Sequence, residues 1–338
     1  MILKSILQSK RFAQLSLWIV LLIVSTMVLG SFIQTNIDGY ERAMFKEMIN
    51  GTAHKPFIYR ALVPIIIKST SLLIPENVKE GINVWGKENI NYLTKEGRDI
   101  DLLDLLFAIG LWYVSIICFA FVFQKLAHHF YSQNNKILFI LTIIAVAGLP
   151  TFFKYYSYIY DLTHLSLFTF CLYLLVKANW KLYLLLICVT TLSKETSVLL
   201  IMIYYIHYKS ILSKSDFNKI FVAQMVIFII IKMTLSIYYF NNSGTIVEFQ
   251  LFHNLKLEPY SISQFLSFII IGVGIAFDWK NKPLFLKNAF YIIIPLLFLT
   301  FFLGYLDEYR DYYEIYPIVL LLIFHSVTKL FNNKLEIK

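Results

Sequence analysis

Asp38 directly follows the first long apolar run of this chain, and Glu41 stands about one helical turn beyond it. A carboxylate at a membrane surface can act as a general base toward a hydroxyl nucleophile or bind a metal. A solvated helix start, where the dipole favours an acid, is the plainer account of the same two residues. Asp161 and His164 lie one turn apart at the entrance of a later run, among Tyr155, Tyr156, Tyr158 and Tyr160. An acid at a span edge is costly unless paired or hydrated, whereas the tyrosines read as an aromatic belt. No HExxH or other dense spacing makes His164 a metal ligand. Lys194-Glu195 interrupts a strongly apolar stretch. The pair reads either as a self-neutralising turn or as a place where Lys194 meets a lipid phosphate. Arg310 and Glu314, four apart at the opening of the last run, suit an inward-facing pair, and Asp307 and Asp311 suit a plain loop. Lys232 is a lone cation inside a run, and the sequence gives it no role.

The elements that must hold these residues are apolar runs recurring from Leu15 to Leu330 in a chain of 338 residues that is 58% hydrophobic. The reading is all-α and polytopic. The segments between runs sort by sign. Those around Lys4–Arg11, Lys125–Lys136, Lys177–Lys181, Lys209–Lys219, Lys280–Lys287 and Lys329–Lys338 hold sixteen Lys and Arg but only three acids. The alternate connections hold the other eighteen acids with thirteen cations. The positive-inside rule places the first set in the cytoplasm and both termini with it.

About ten spans are expected in all, the first at Phe12–Ile33, which is read as retained since no small-residue cleavage site follows it. The long segment 34–101 is expected outside, with Ile58–Pro75 lying in the interface rather than crossing, because a crossing there would invert every later loop. Further spans are expected near Leu102–Gln124, Ile137–Phe153 and Ile159–Val176. Two short helices then meet at an outer tip near Lys194, because one straight helix would bury both charges. Four more runs follow, near Phe217–Phe240, Ile262–Phe277, Ala289–Gly304 and Tyr313–Leu330. The whole chain reads as one membrane domain, with residues 211–338 as a four-span bundle.

Several function classes are excluded. The net charge of +9 is mostly topological, so no basic stripe is left for a nucleic-acid backbone. Cys118, Cys171 and Cys188 all sit in apolar runs and suggest neither disulfides nor a thiolate metal site. No P-loop, dinucleotide fingerprint or G-x-S-x-G elbow is present.

The order of these elements resembles the GT-C superfamily of integral-membrane glycosyltransferases, which take sugars from polyprenyl-phosphate carriers. In that superfamily the first span leads into a large outer loop opening with a catalytic acid, the place Asp38 holds. An alanine-containing helix, a glycine break and an aromatic-basic-proline stretch commonly follow, and Ala43, Gly51 and Tyr59-Arg60-Ala61-Leu62-Val63-Pro64 are similar. An L-T-K-like turn between short helices resembles Leu192-Ser193-Lys194. The likeness covers residues 12–210. It implies an inverting transfer at the outer face of a bacterial cytoplasmic membrane, from a polyprenyl-phosphate-linked sugar to an acceptor hydroxyl, with Asp38 as general base. Arg60, Lys194 and Arg310 would stabilise the leaving phosphate, Glu41 and Asp161 would orient sugar or base, and Glu195 would also contact the substrate. No metal is obligatory in such a reaction, although a divalent ion is compatible with it. The rival readings are a secondary transporter and a non-enzymatic membrane partner in polysaccharide export.

Overall fold

The computed structural model describes residues 10–35, 37, 39–90, 100–153, 156–256 and 261–331, with side chains from residue 14 onward. The chain is all-α. Its helices of six residues or more are α1 (Lys10–Gln34), α2 (Phe45–Asn50), α3 (Leu62–Ser71), α4 (Glu76–Asn89), α5 (Leu102–Phe130), α6 (Asn135–Ala147) and α7 (Asp161–Val176). They continue as α8 (Trp180–Ser193), α9 (Val198–Tyr208), α10 (Lys214–Tyr238), α11 (Ile262–Ala276), α12 (Leu284–Phe290), α13 (Ile293–Leu303) and α14 (Tyr316–Phe331).

The 29-residue helix α5 organises the core. It buries a stripe at helical spacing that includes Ala108, Trp112, Ser115, Phe119, Phe123 and Leu126, while Leu106, Val114 and Phe121 face outward. That stripe packs against α7, α6 and α1. The Trp112 indole donates to the Ile159 carbonyl at 2.8 Å, which pins the chain just before α7. Polar caps set several helix starts. Asn134 accepts from the Lys136 N–H, Ser213 accepts from the Asp216 N–H, and Ser261 forms a capping box with Gln264.

Among the described residues, five helical segments are long and apolar enough to cross a membrane: Gln14–Gln34, Leu102–Phe130, Asn135–Phe152, Lys214–Tyr238 and Leu284–Leu303. The chain is therefore an integral membrane protein by length and composition, but the expected count of ten spans is not supported. The remaining apolar helices, among them α3, α7, α8, α11 and α14, have only 10–17 residues, short of the roughly 20 that a bilayer core requires. Counting hydrophobic runs overestimates the spans, because a helix buried in protein is as apolar as one that faces lipid. Asp161–Val176, for instance, is buried along most of its length, so protein rather than lipid surrounds it.

The described residues of the segment 34–101 are more structured than a loop. The expected single helix over Ile58–Pro75 is instead a 3-10 turn, Phe57–Tyr59, followed by α3, which packs on α5 and α8. Ile65, Leu72 and Leu73 leave apolar side chains exposed along and beyond it. The chain after α10 is tied to this segment. The Asn242 side chain donates to the Gly51 and Ala53 carbonyls, and the Lys55 N–H donates to the Ser243 carbonyl at 2.8 Å. Gly244 makes that approach feasible. It sits at φ +90°, and a Cβ there would lie 2.6 Å from the Lys55 carbonyl oxygen.

Candidate functional site

The break between α8 and α9 is the element that positions the site. Lys194 leaves the helix in an extended conformation, and a 3-10 turn, Glu195–Ser197, leads into α9. The break expected from the cost of buried charge is present, but its two charges do not neutralise each other. Glu195 receives the Arg60 guanidinium, with Nε at 3.2 Å and Nη2 at 2.5 Å from Oε1. Lys194 turns the other way, and its Nζ donates to Glu314 Oε1 at 2.9 Å.

Arg60 also donates through Nη1 to the Tyr160 hydroxyl and lies over that ring, 4.7 Å from its centroid. Tyr160 stacks on Tyr158 with centroids 5.5 Å apart and planes within 5°. Arg310 covers Tyr158 at 3.9 Å, and Phe57 stacks against the same ring at 5.4 Å. Two arginines thus flank a pair of tyrosine rings, a cation–π arrangement strengthened by burial. The sequence reading of these tyrosines as an interfacial belt is corrected here, because Tyr158 and Tyr160 are buried. Ile159 and Tyr160 form the turn that opens α7, so no regular spacing marked the two rings in the sequence.

This stack forms one wall of a cavity of about 540 Å³. Arg60, Glu195 and Arg310 line it, with Tyr40, Tyr156 and Tyr305 among the aromatic lining. Lys232 and Ser236 of α10 form another wall, and Glu248, Asp307, Glu308 and Asp311 add acid. At the rim, Arg42 pairs with Glu248 at 2.6 Å and the Tyr40 hydroxyl donates to the same carboxylate at 3.3 Å.

Behind the wall lies a second, buried node. Glu314 Oε1 accepts from Lys194 and from the Thr196 hydroxyl, and His164 Nε2 lies 3.4 Å away. Asp161 is buried at the start of α7, and its carboxylate accepts the Tyr158 N–H at 2.8 Å. It stands within electrostatic reach of Arg310, Lys194 and Arg60. The expected Arg310–Glu314 pair does not form. Arg310 Nη2 is 3.0 Å from Glu308, and both Arg310 and Glu314 precede α14 rather than riding on it.

Among the candidates, then, Arg60, Glu195 and Arg310 meet at one cavity, with Asp161 and Lys194 packed behind it. Glu41 opens an exposed 3-10 turn and does not line the cavity. Asp38 lies outside the described residues. Among the described residues, no three His, Cys, Asp or Glu side chains gather as metal ligands. The sequence alone assigns no part in a site to Lys232, Glu308, Tyr158 or Tyr160.

The electrostatics follow from burial and pairing. Burial pushes the Glu308 carboxyl up to about 7, with Arg310 opposing and Asp311, Asp161 and Asp307 adding to the rise. Burial works against the charge on Arg310, but Glu308 and Tyr158 outweigh it and hold the guanidinium charged. Arg60 behaves alike, with Glu195 and Tyr160 overcoming its burial. Burial and Glu248 push the Tyr40 hydroxyl up to about 12.

No family model, no curated protein and no solved structure matches this chain.

Proposed function

We propose that the protein is an integral-membrane glycosyltransferase that takes a sugar from a polyprenyl-phosphate carrier. The observation that carries this reading is the pair of arginines stacked on Tyr158 and Tyr160 at the wall of a cavity bordered by a membrane-length helix. Guanidinium groups suit a phosphate, aromatic faces suit a sugar ring, and an apolar helix suits a carrier tail. The volume is in the range of small-molecule sites.

In the proposed reaction an acceptor hydroxyl oxygen attacks the anomeric carbon as its bond to the phosphate oxygen breaks. The phosphate departs with the bonding electrons, and the hydroxyl proton passes to Asp38. One displacement inverts the anomeric centre. Arg60, and after it Arg310, stabilises the charge growing on the leaving phosphate. Lys194, engaged by Glu314, supports Arg60 by fixing the break that carries Glu195. Asp161 holds the tyrosine stack in place through the Tyr158 N–H. No step in this scheme requires a metal. The site faces outward in a bacterial cytoplasmic membrane, with both termini inside and the apolar residues around Leu72 and Leu73 lying in the outer interface.

The test is transfer by the purified protein from polyprenyl-phosphate sugars in vitro. Asp38→Asn should lower the rate about 100-fold or more while lipid binding persists. Arg60→Lys should lower it at least about tenfold although charge is kept, since lysine cannot reproduce the fork. Full activity in Asp38→Asn would remove the base assignment. A secondary transporter is favoured by one observation, the discontinuous helix at 194–197 beside buried ionisable groups. Sugar counterflow in proteoliposomes without covalent transfer would select that reading.

A further inference from the structure

We infer that Lys232 is the anion anchor on the lipid side of this cavity, the ammonium that receives a lipid-borne phosphate arriving along α10. Three long cationic side chains line the cavity, and two are already matched: Arg60 by Glu195 and Arg310 by Glu308. Lys194, the fourth cation nearby, is matched by Glu314. Lys232 differs. Its Nζ is buried and has no hydrogen-bond partner among the described residues. The charged groups it feels are Glu195, whose carboxylate is committed to Arg60, and Arg60 itself.

A buried ammonium lowers its cost by losing its proton or by gaining an anion, and a cavity wall is where an anion can reach it. The direction of approach follows from the helix. Lys232 and Ser236, one turn apart, face the cavity, while Ile230, Met233 and Ile237 on the other side of α10 are exposed. Beside the same cavity, Ile246, Phe249 and Phe252 also expose apolar side chains. A phosphate carried on an apolar tail would keep the tail against these surfaces while its head meets Lys232. A free phosphate gains nothing from them.

The choice of a polyprenyl carrier rests on the function proposed above; the anion site does not. Binding would be measured by native mass spectrometry of the protein in phosphatidylcholine nanodiscs. The probes are a long-chain polyprenyl phosphate, the matching neutral polyprenol and phosphatidylglycerol, with inorganic phosphate tested by thermal shift. Wild-type protein should prefer polyprenyl phosphate over polyprenol by about tenfold or more, Lys232→Met should erase that preference, and Lys232→Arg should keep most of it. In wild-type protein, polyprenyl phosphate and not polyprenol should also shield Lys232 from an amine-reactive reagent, a reading that needs no variant.

Equal preference in Lys232→Met, or no shielding of Lys232, would overturn the site. Stabilisation by inorganic phosphate that depends on Lys232, with no gain from the tail, would overturn the lipid source. Phosphatidylglycerol binding as tightly as polyprenyl phosphate would overturn the carrier in favour of a general anionic-lipid seat. Sugar transfer is scored separately. Lys232-dependent binding without transfer would sink the enzyme reading alone, and transfer with Lys232-independent binding would sink this inference alone.

Discussion

One carboxylate oxygen of Glu308 meets Arg310 at 3.0 Å, and the other is buried without a hydrogen-bond partner among the described residues. Such a group holds its proton longer in the folded protein than in the unfolded chain, which is why it titrates near 7. The sign of the linkage follows. Between the usual carboxyl range and pH 7 the folded state carries more protons, so this group's contribution to stability is complete at low pH and is lost as pH rises through about 7. Wild-type melting temperature in detergent should therefore fall between about pH 5 and pH 8, and Glu308→Gln, which cannot ionise, should flatten that slope. A wild-type profile with no slope in this window, or an unchanged slope in Glu308→Gln, would show that Glu308 is ionised throughout. Arg310 gives a second readout, since a neutral Glu308 leaves its guanidinium freer to engage an anion in the cavity.

At the scale of elements, the joint at 194–197 and the chain leading into α14 are locked together by Glu314. Its Oε1 gathers Lys194 and Thr196, and its side chain is fully buried. Removing one partner of a buried ion pair leaves the other charge stranded, at a typical cost of about 3–5 kcal/mol. Glu314→Leu or Lys194→Met alone should lower stability by about that order, and the two combined should recover much of the loss. The check is a double-mutant cycle by thermal or denaturant unfolding, and additive losses would mean the two residues are not coupled. The break itself was legible in the sequence, because two adjacent charges in an apolar stretch have few other ways to avoid lipid. Their pairings were not. Glu195 meets Arg60 across 135 residues and Lys194 meets Glu314 across 120, and those distances are set by helix packing rather than by local spacing. The same limit explains the mistaken Arg310–Glu314 pair, where a helical offset was assumed for residues that precede the helix. Lys232 was visible as an anomaly, but only the cavity beside it gives it meaning.

Across the whole molecule, the sorting of charge and the packing of the ends agree. Segments assigned to the acid-rich side touch one another at Arg60–Glu195, Lys194–Glu314, Arg42–Glu248 and Lys55–Phe240. Segments assigned to the basic side meet elsewhere, where Lys282 donates to Ser326, Asp278 pairs with His325, and Asn288 contacts His207. Loops that sort by sign and gather with their like at two poles are what the positive-inside rule would require if those poles faced opposite sides of one bilayer. Helices too short to span by themselves fit this arrangement if protein surrounds them. The helix α7 does so, running from Asp161 near Arg310 to Leu175, whose carbonyl accepts the Tyr208 hydroxyl near the basic pole. On that topology, in which the shorter α7, α8 and α9 also cross within the protein, Glu88, exposed on α4, and Lys214, exposed at the start of α10, should lie on opposite sides of the membrane. Single cysteines at these two positions, in a background with Cys118, Cys171 and Cys188 replaced, can be probed with a membrane-impermeant thiol reagent on intact cells and again after permeabilisation. The cysteine at 88 should react in intact cells and the one at 214 only after permeabilisation. Reaction of both under the same condition would mean that an even number of crossings separates them, and the two-pole topology would fall with it.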